Sequence, residues 1–103
     1  MTTEQEIVES MMVVYDPEIR VNIVDLGLIY SVDLEENGHV KIRMTLTSPG
    51  CPVSGQIERD IKKVVRQQDG VQDVEIEFVW DPPWGPAMMS DEAKLMLGYD
   101  VNM

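Results

Sequence analysis

The 103-residue sequence has few thiol, imidazole and basic side chains, the groups that bind soft metal ions and anions. It contains one cysteine, Cys51, and one histidine, His39, and its 8 basic residues are outnumbered by 19 acidic ones, for a formal net charge of −11. A single cysteine excludes an internal disulfide and any paired-cysteine metal knuckle. Because phosphate backbones and anionic lipid surfaces carry the same sign of charge as this chain, we expect neither a nucleic-acid nor a membrane partner.

Long apolar runs and nucleotide-binding motifs are also missing. No run approaches the roughly 20 apolar residues that span a bilayer. The first residues are acidic where a secretory signal would be basic, so we expect a cytoplasmic location, in which a lone thiol stays reduced. The absence of a glycine-rich phosphate loop, a dinucleotide-binding turn and a zinc-protease helix excludes the corresponding enzyme classes.

Hydrophobic periodicity predicts one α+β domain over residues 1–103. A capping box at Thr3 and Glu6 opens a first helix that runs to about Tyr15. Two segments of alternating apolar and polar residues, 28–34 and 40–47, flank an Asn-Gly pair and predict a β-hairpin. A second helix is predicted to start at Pro52, a third strand to cover 74–80, and a short helix to end near 97. The predicted fold is a two-layer sandwich with the helices on one face of a small mixed sheet.

Cys51 is the strongest candidate for chemistry. It follows the second strand and directly precedes the helix that Pro52 starts, where unpaired N–H groups stabilise a thiolate as nucleophile or metal ligand. The alternative is a small buried hydrophobic residue. His39 stands at the other end of the second strand, roughly 20 Å away, so it is expected to be a solvated turn residue and cannot serve the thiol as a base. We therefore expect no stand-alone enzyme.

Two pairs of polar residues could line one pocket with Cys51. Asp16 and Glu18 flank a proline at the end of the first helix, where turn formation is an equally good explanation. Thr45 and Thr47 fall on the side of their strand that faces away from the apolar side chains, and β-propensity on a solvent-exposed face is the simpler explanation for them.

Two tryptophans have different expected roles. Trp80 continues the apolar alternation of the third strand and is predicted to fill the core. Trp84 lies in a Pro-Pro-Trp-Gly-Pro frame, and a rigidly held aromatic side chain loses little entropy on binding, so Trp84 is predicted to contact a partner. If the second and third strands are neighbours, their outward charged residues should form cross-strand ion pairs, Lys41 and Arg43 with Glu75 and Glu77.

Four ordered segments carry a family resemblance: DPE at 16–18, NIVDLGLIY at 22–30, MTLTSPGCP at 44–52 and VWDPPW at 79–84. Together they resemble the metal–sulfur cluster assembly family that includes SufT and PaaD. The resemblance implies a fold similar to the C-terminal domain of NifU and a role in iron–sulfur protein maturation. It also implies that Cys51 is the functional thiol, with Asp16, Glu18, Thr45 and Thr47 at the polar positions near it.

A cluster needs about four ligands, so one cysteine holds it only transiently and together with other ligands. These ligands would come from a homodimer, from small thiols, or from an iron–sulfur scaffold, carrier or client protein. The sequence lacks the downstream cysteine cluster of PaaD and a P-loop extension. Two main hypotheses remain: a maturation factor that uses Cys51, and an adaptor that binds no metal and docks its partners through the Trp84 loop. A cysteine-dependent enzyme ranks last, because its only candidate bases are Asp16 and Glu18.

Overall fold

The computed structural model describes residues 2–17, 19–47 and 54–98, and these fold into one α+β unit. Two short 3-10 helices, Met11–Val13 and Pro86–Met88, accompany the regular elements. Along the chain, the α-helices and strands are α1 (Glu4–Ser10), β1 (Ile29–Leu34), β2 (His39–Met44), α2 (Ser54–Arg66), β3 (Asp73–Phe78) and α3 (Asp91–Met96).

The first helix is capped as the sequence predicts but is shorter. The Thr3 hydroxyl accepts from the Glu6 N–H at 3.1 Å, and the Glu6 carboxylate accepts from the Thr3 N–H at 3.2 Å. The helix gives way to the first 3-10 turn, and the expected end near Tyr15 is wrong. Tyr15 instead forms an antiparallel β-bridge with Asn22, which is incompatible with helical backbone.

The sheet is mixed, as predicted, with β2 in the centre. β1 and β2 form the predicted antiparallel hairpin, and Gly38 takes the positive φ of +88° that its turn requires. β3 runs parallel to β2, reached through α2. β2 ends at Met44 and β3 at Phe78, three and two residues before the predicted ends. The two strands end together because Met44 and Phe78 are the last pair of their parallel ladder.

The helices cover one face of the sheet and the charged side chains occupy the other. The core face and the helices together bury a continuous apolar cluster that includes Ile7, Ile42, Met44, Ile57 and Ile61, each with no exposed surface. On the opposite face the predicted cross-strand ion pairs are present, with Arg43 Nε 3.0 Å from Glu77 and Lys41 Nζ 3.8 Å from both Glu75 and Glu77.

The C-terminal segment packs against the loop between the first helix and β1. Ser90 caps α3 by accepting from the Ala93 N–H at 3.2 Å, and its own N–H donates to the Asp25 carbonyl at 2.7 Å. Met89 and Ala93 are buried in the core cluster. None of the helices in the described ranges is both long and apolar enough to cross a bilayer.

Candidate functional site

The predicted site centres on the connection between β2 and α2. Thr45 and Thr47 directly follow β2 and lead into the segment that contains Cys51. Cys51, the predicted helix start at Pro52, and Glu18 lie outside the described residues, so their predicted roles remain predictions. Asp16, Thr45 and Thr47 lie within them, and each can be placed.

Thr45 is buried rather than solvent-facing. It is 1% exposed, and its hydroxyl is fully enclosed without a hydrogen-bond partner among the described residues. The expectation of a solvent face is therefore wrong, because beyond Met44 the loop that precedes β1 folds alongside the strand end: the Thr45 N–H donates to the Leu28 carbonyl at 2.9 Å. A buried hydroxyl without a partner loses solvation and gains nothing in exchange, so it is an exception that calls for an explanation. Thr47, two residues on, is half-buried.

Asp16 organises the loop in which it lies. It is 1% exposed, its Oδ1 accepts from the Ile19 N–H at 3.1 Å, and its carbonyl accepts from the Arg20 N–H at 2.7 Å. Its own N–H donates to the Val21 carbonyl at 3.1 Å. The turn-forming role that the sequence predicts for Asp16 is therefore present, and its buried carboxylate takes part in it.

A ladder of backbone hydrogen bonds joins the Asp16 loop to Thr45. The Ile23 N–H donates to Val14 at 2.9 Å, the Leu28 N–H donates to Ile23 at 3.1 Å, and the Thr45 N–H donates to Leu28. Val14, Ile23, Leu28 and Thr45 thus belong to one hydrogen-bonded layer, and the Asp16 loop adjoins this layer through the β-bridge between Tyr15 and Asn22. Spacing along the chain gave no means of predicting this arrangement.

The segment from Asn22 to Gly27 holds that layer in shape, which the sequence reasoning missed. The Asn22 side chain accepts from the Asp25 N–H at 2.8 Å and donates to the Asp25 carboxylate at 2.6 Å. Gly27 has φ of +80°, and a Cβ built on it would lie 2.3 Å from the Met88 carbonyl oxygen. The signal that could have found this role is the Asn-x-x-Asp pair followed by glycine, which is typical of a side-chain-capped turn.

The two tryptophans do not divide as expected. Trp80 is 45% exposed, so its predicted core role is wrong; β3 has already ended at Phe78, and the alternation that placed Trp80 inward does not continue. Trp84 is half-buried against the core, and its indole N–H donates to the Leu26 carbonyl at 2.6 Å. Contact between Trp84 and a partner stays a prediction. Any such contact would use a side chain that already bonds to Leu26.

His39 is not a solvated turn residue. It begins β2, with Nδ1 2.7 Å from the Asp73 carboxylate and Nε2 3.2 Å from the Glu75 carboxylate. The pKa of His39 is raised above its usual 6.5, chiefly by the hydrogen bond with Asp73. His39 lies at the start of β2 and Thr45 beyond its other end; because Cys51 lies outside the described residues, the exclusion of His39 as its base stays a prediction.

Metal-binding side chains do not converge in the part of the chain that the structure describes. Within residues 2–17, 19–47 and 54–98, no three or more His, Cys, Asp or Glu side chains form a group that could hold a metal ion. The polar residues that are placed, Asp16 and Thr45, are also not the ligands that iron–sulfur clusters prefer, which are thiolates.

Comparison with known protein families matches residues 4–78 to the model of the iron–sulfur cluster assembly protein family. The chain belongs to this family. The matched residues run from the start of α1 to the end of β3 and contain Asp16, Thr45 and Cys51. The resemblance inferred from the four segments is therefore confirmed at the level of the family.

Individual relatives agree with this assignment. The chain is 47% identical to an Fe-S protein maturation auxiliary factor of Porphyromonas gingivalis, over 94% of this chain and 92% of that protein. It is 40% identical to an iron–sulfur cluster carrier protein of Deinococcus radiodurans, where 70% of this chain matches only 20% of a longer protein. A crystal structure of a domain of unknown function from Bacillus anthracis superposes with a TM-score of 0.89 at 44% identity, covering 94% of this chain and 92% of that domain.

Proposed function

We propose that this protein is an accessory factor of iron–sulfur protein maturation that helps to insert clusters into client proteins, with Cys51 as its functional thiol and without catalytic turnover of its own. The family match over residues 4–78 carries the proposal. Relatives that match along nearly their whole length are named as maturation auxiliary factors, and a longer relative is named as a cluster carrier.

The ligand chemistry favours a transient role. An iron–sulfur cluster takes about four thiolate ligands, and this chain has one cysteine. A thiolate of Cys51 would therefore complete a cluster whose other ligands belong to the scaffold, carrier or client protein, and would release it when the client supplies a replacement. The cluster is the cargo in this proposal. The polypeptide supplies one exchangeable sulfur ligand and polar groups near it.

The Thr45 hydroxyl is a candidate hydrogen-bond donor among these polar groups. Its hydroxyl is buried without a partner, six residues before Cys51 on the same connection. Hydrogen-bond donors to sulfur stabilise a thiolate or a cluster sulfide, and they are one of the means by which proteins adjust such groups. In the proposed function, engagement of a cluster or client rearranges the residues that enclose the Thr45 hydroxyl, and the hydroxyl then donates to a sulfur atom. This would account for the partner that it lacks among the described residues.

The thiol is tested by anaerobic reconstitution with iron and sulfide, followed by an assay of cluster delivery to an apo-acceptor. We expect Cys51→Ala to abolish the delivery that depends on this protein, because the exchangeable ligand is gone. Circular dichroism of the variant is the control for folding. Equal delivery by both proteins would exclude thiol chemistry and would favour the adaptor that binds no metal.

The hydroxyl is tested by a matched pair of substitutions. Thr45→Val keeps the shape of the side chain and removes the hydroxyl, whereas Thr45→Ser keeps the hydroxyl and removes a methyl group. We expect the valine variant to deliver clusters more slowly than the serine variant. Delivery that follows side-chain size instead, with valine equal to the natural protein, would exclude a role for the hydroxyl.

A further inference from the structure

A groove lies between α3 and the loop that follows the first helix. Its volume is about 310 Å³. Polar and apolar side chains line it from both sides, namely Met12, Tyr15, Arg20, Val21, Asn22, Asp25, Glu92 and Met96. Asp16 and Thr45 do not line it, but Arg20 and Val21, which bond to the Asp16 backbone, do, so the groove adjoins the predicted site without coinciding with it.

Apolar side chains are unusually exposed around this groove. Eight large hydrophobic residues are exposed in the described part of the chain. Three of them line the groove, namely Met12, Tyr15 and Met96, and three others, Val13, Leu95 and Leu97, are their sequence neighbours outside it. Scattered exposed apolar residues need no explanation, but a concentration of them marks an interaction surface. Methionine adapts its flexible side chain to partners of different shape.

Charged side chains at the groove have few partners among residues 2–17, 19–47 and 54–98. Glu92 and Arg20 take part in no ion pair with another described residue, while the Asp25 carboxylate accepts from Asn22 at 2.6 Å. Arg20 has φ of +66°, a left-handed conformation that is costly for a residue other than glycine. Such strain persists where the surrounding structure enforces it, and it is concentrated at functional sites.

We propose that this groove binds an amphipathic helical segment of a partner protein, with apolar residues on one face and lysine or arginine beside them. Met12, Tyr15 and Met96 would receive the apolar face, and Glu92 would pair with a basic side chain. Arg20 would donate to carbonyl groups at the C-terminal end of the segment, where a helix has unsatisfied acceptors.

Charge selects this occupant over a second copy of the chain. Each copy carries a formal net charge of −11, so two copies repel each other as they associate. A basic segment is instead attracted by the same charge, which raises its rate of association. The inference deepens the proposed function by describing how a client or carrier is held, and it rests on that function only for the identity of the partner.

The binding probe is a fluorescein-labelled amphipathic helical peptide built from leucine and lysine, with a second peptide in which glutamate replaces lysine. Fluorescence anisotropy measures binding to the full chain without iron. We expect the lysine peptide to bind and the glutamate peptide not to bind. Met96→Ser should weaken the lysine peptide about tenfold, as truncation of a contact residue commonly does.

Neighbouring residues on α3 supply matched controls. Leu95 is as exposed as Met96, at 68% against 70%, but does not line the groove, so Leu95→Ser should leave affinity unchanged. Glu92→Gln should weaken binding about threefold, as expected for an exposed ion pair, whereas Asp91→Asn on the adjacent position should not. Equal effects of Met96→Ser and Leu95→Ser, or of Glu92→Gln and Asp91→Asn, would show that the peptide responds only to the overall hydrophobicity or charge of α3. Either result would overturn the proposal.

A second measurement identifies the alternative occupant. Analytical ultracentrifugation of the natural protein should show a monomer at micromolar concentration. A dimer that Met96→Ser dissociates would assign the groove to a second copy and overturn the proposal. Neither measurement involves Cys51 or a cluster, so failure of peptide binding leaves the delivery assay unaffected, and failure of delivery leaves the groove assignment unaffected.

Discussion

The contact between Gly27 and the second 3-10 helix offers a quantitative test of how the C-terminal segment is held. Gly27 has φ of +80°, and an added Cβ would lie 2.3 Å from the Met88 carbonyl oxygen and 2.8 Å from its carbonyl carbon. These are backbone atoms, so Gly27→Ala cannot be accommodated by rotation of a side chain. The segment that carries Trp84 and Met88 has to move away from the loop.

The cost has two parts. A left-handed conformation costs an alanine about 1–2 kcal/mol. Displacement of the segment weakens the hydrogen bond from Trp84 to Leu26, worth about 1 kcal/mol, and loosens the packing of the buried Met89, worth about 1–2 kcal/mol. We therefore expect Gly27→Ala to lower the free energy of unfolding by about 3–5 kcal/mol, a large share of the roughly 5–15 kcal/mol of a typical domain.

Gly70 provides the matched control. Its φ is +85°, nearly the same as that of Gly27, but an added Cβ would meet nothing within 4 Å. Gly70→Ala should therefore cost only the conformational part, about 1–2 kcal/mol. The stabilising effect of alanine on the unfolded chain is common to both variants and cancels in their difference. Urea denaturation followed by circular dichroism gives both values.

The difference between the two variants is the informative quantity. A difference of about 2–3 kcal/mol, with a change in tryptophan emission only in Gly27→Ala, would confirm that the close approach of Met88 holds the segment in place. Equal losses in the two variants would show that the segment shifts at no cost, and the reasoning from the close approach would be refuted.

Three further predictions concern single side chains. Trp84→Phe should destabilise the protein by about 1–2 kcal/mol in urea denaturation, because a half-buried carbonyl loses its donor, while Trp80→Phe at an exposed position should change nothing measurable. Because the contact with Asp73 raises the pKa of His39, protonated His39 should stabilise the folded protein fully below pH about 6.5, and this contribution should be lost as pH rises through the folded-state pKa. His39→Gln should flatten this part of the plot of unfolding free energy against pH. An unchanged plot would contradict the ion pair between His39 and Asp73. Thr45→Val should leave the free energy of unfolding unchanged or raise it by up to about 2 kcal/mol, because the hydroxyl that it removes is buried without a partner; a clear loss of stability would mean that the hydroxyl is bonded in solution.

Local patterns in the sequence determined the elements of this fold. The capping box at Thr3, the turn at Gly38 and the cap at Ser90 each depend on residues within four positions of one another, so their physics is visible in the sequence. The apolar alternation and the helical stripe then placed the core on one side of the sheet. The ion pairs of Arg43 and Lys41 followed once the neighbouring strands were assumed.

The positions that only the tertiary structure decided are those whose surroundings come from distant parts of the chain. Thr45 and Trp80 stand just beyond the ends of their strands, where alternation no longer predicts the inward side. Thr45 is buried because the segment at Leu28 bonds to it, and Trp84 is anchored by a carbonyl 58 residues away. His39 changed from a turn residue to an ion-paired one because β3 lies parallel to β2 and brings Asp73 beside it. Sequence spacing cannot predict such contacts, because the separation of two residues along the chain does not give their distance in the folded protein.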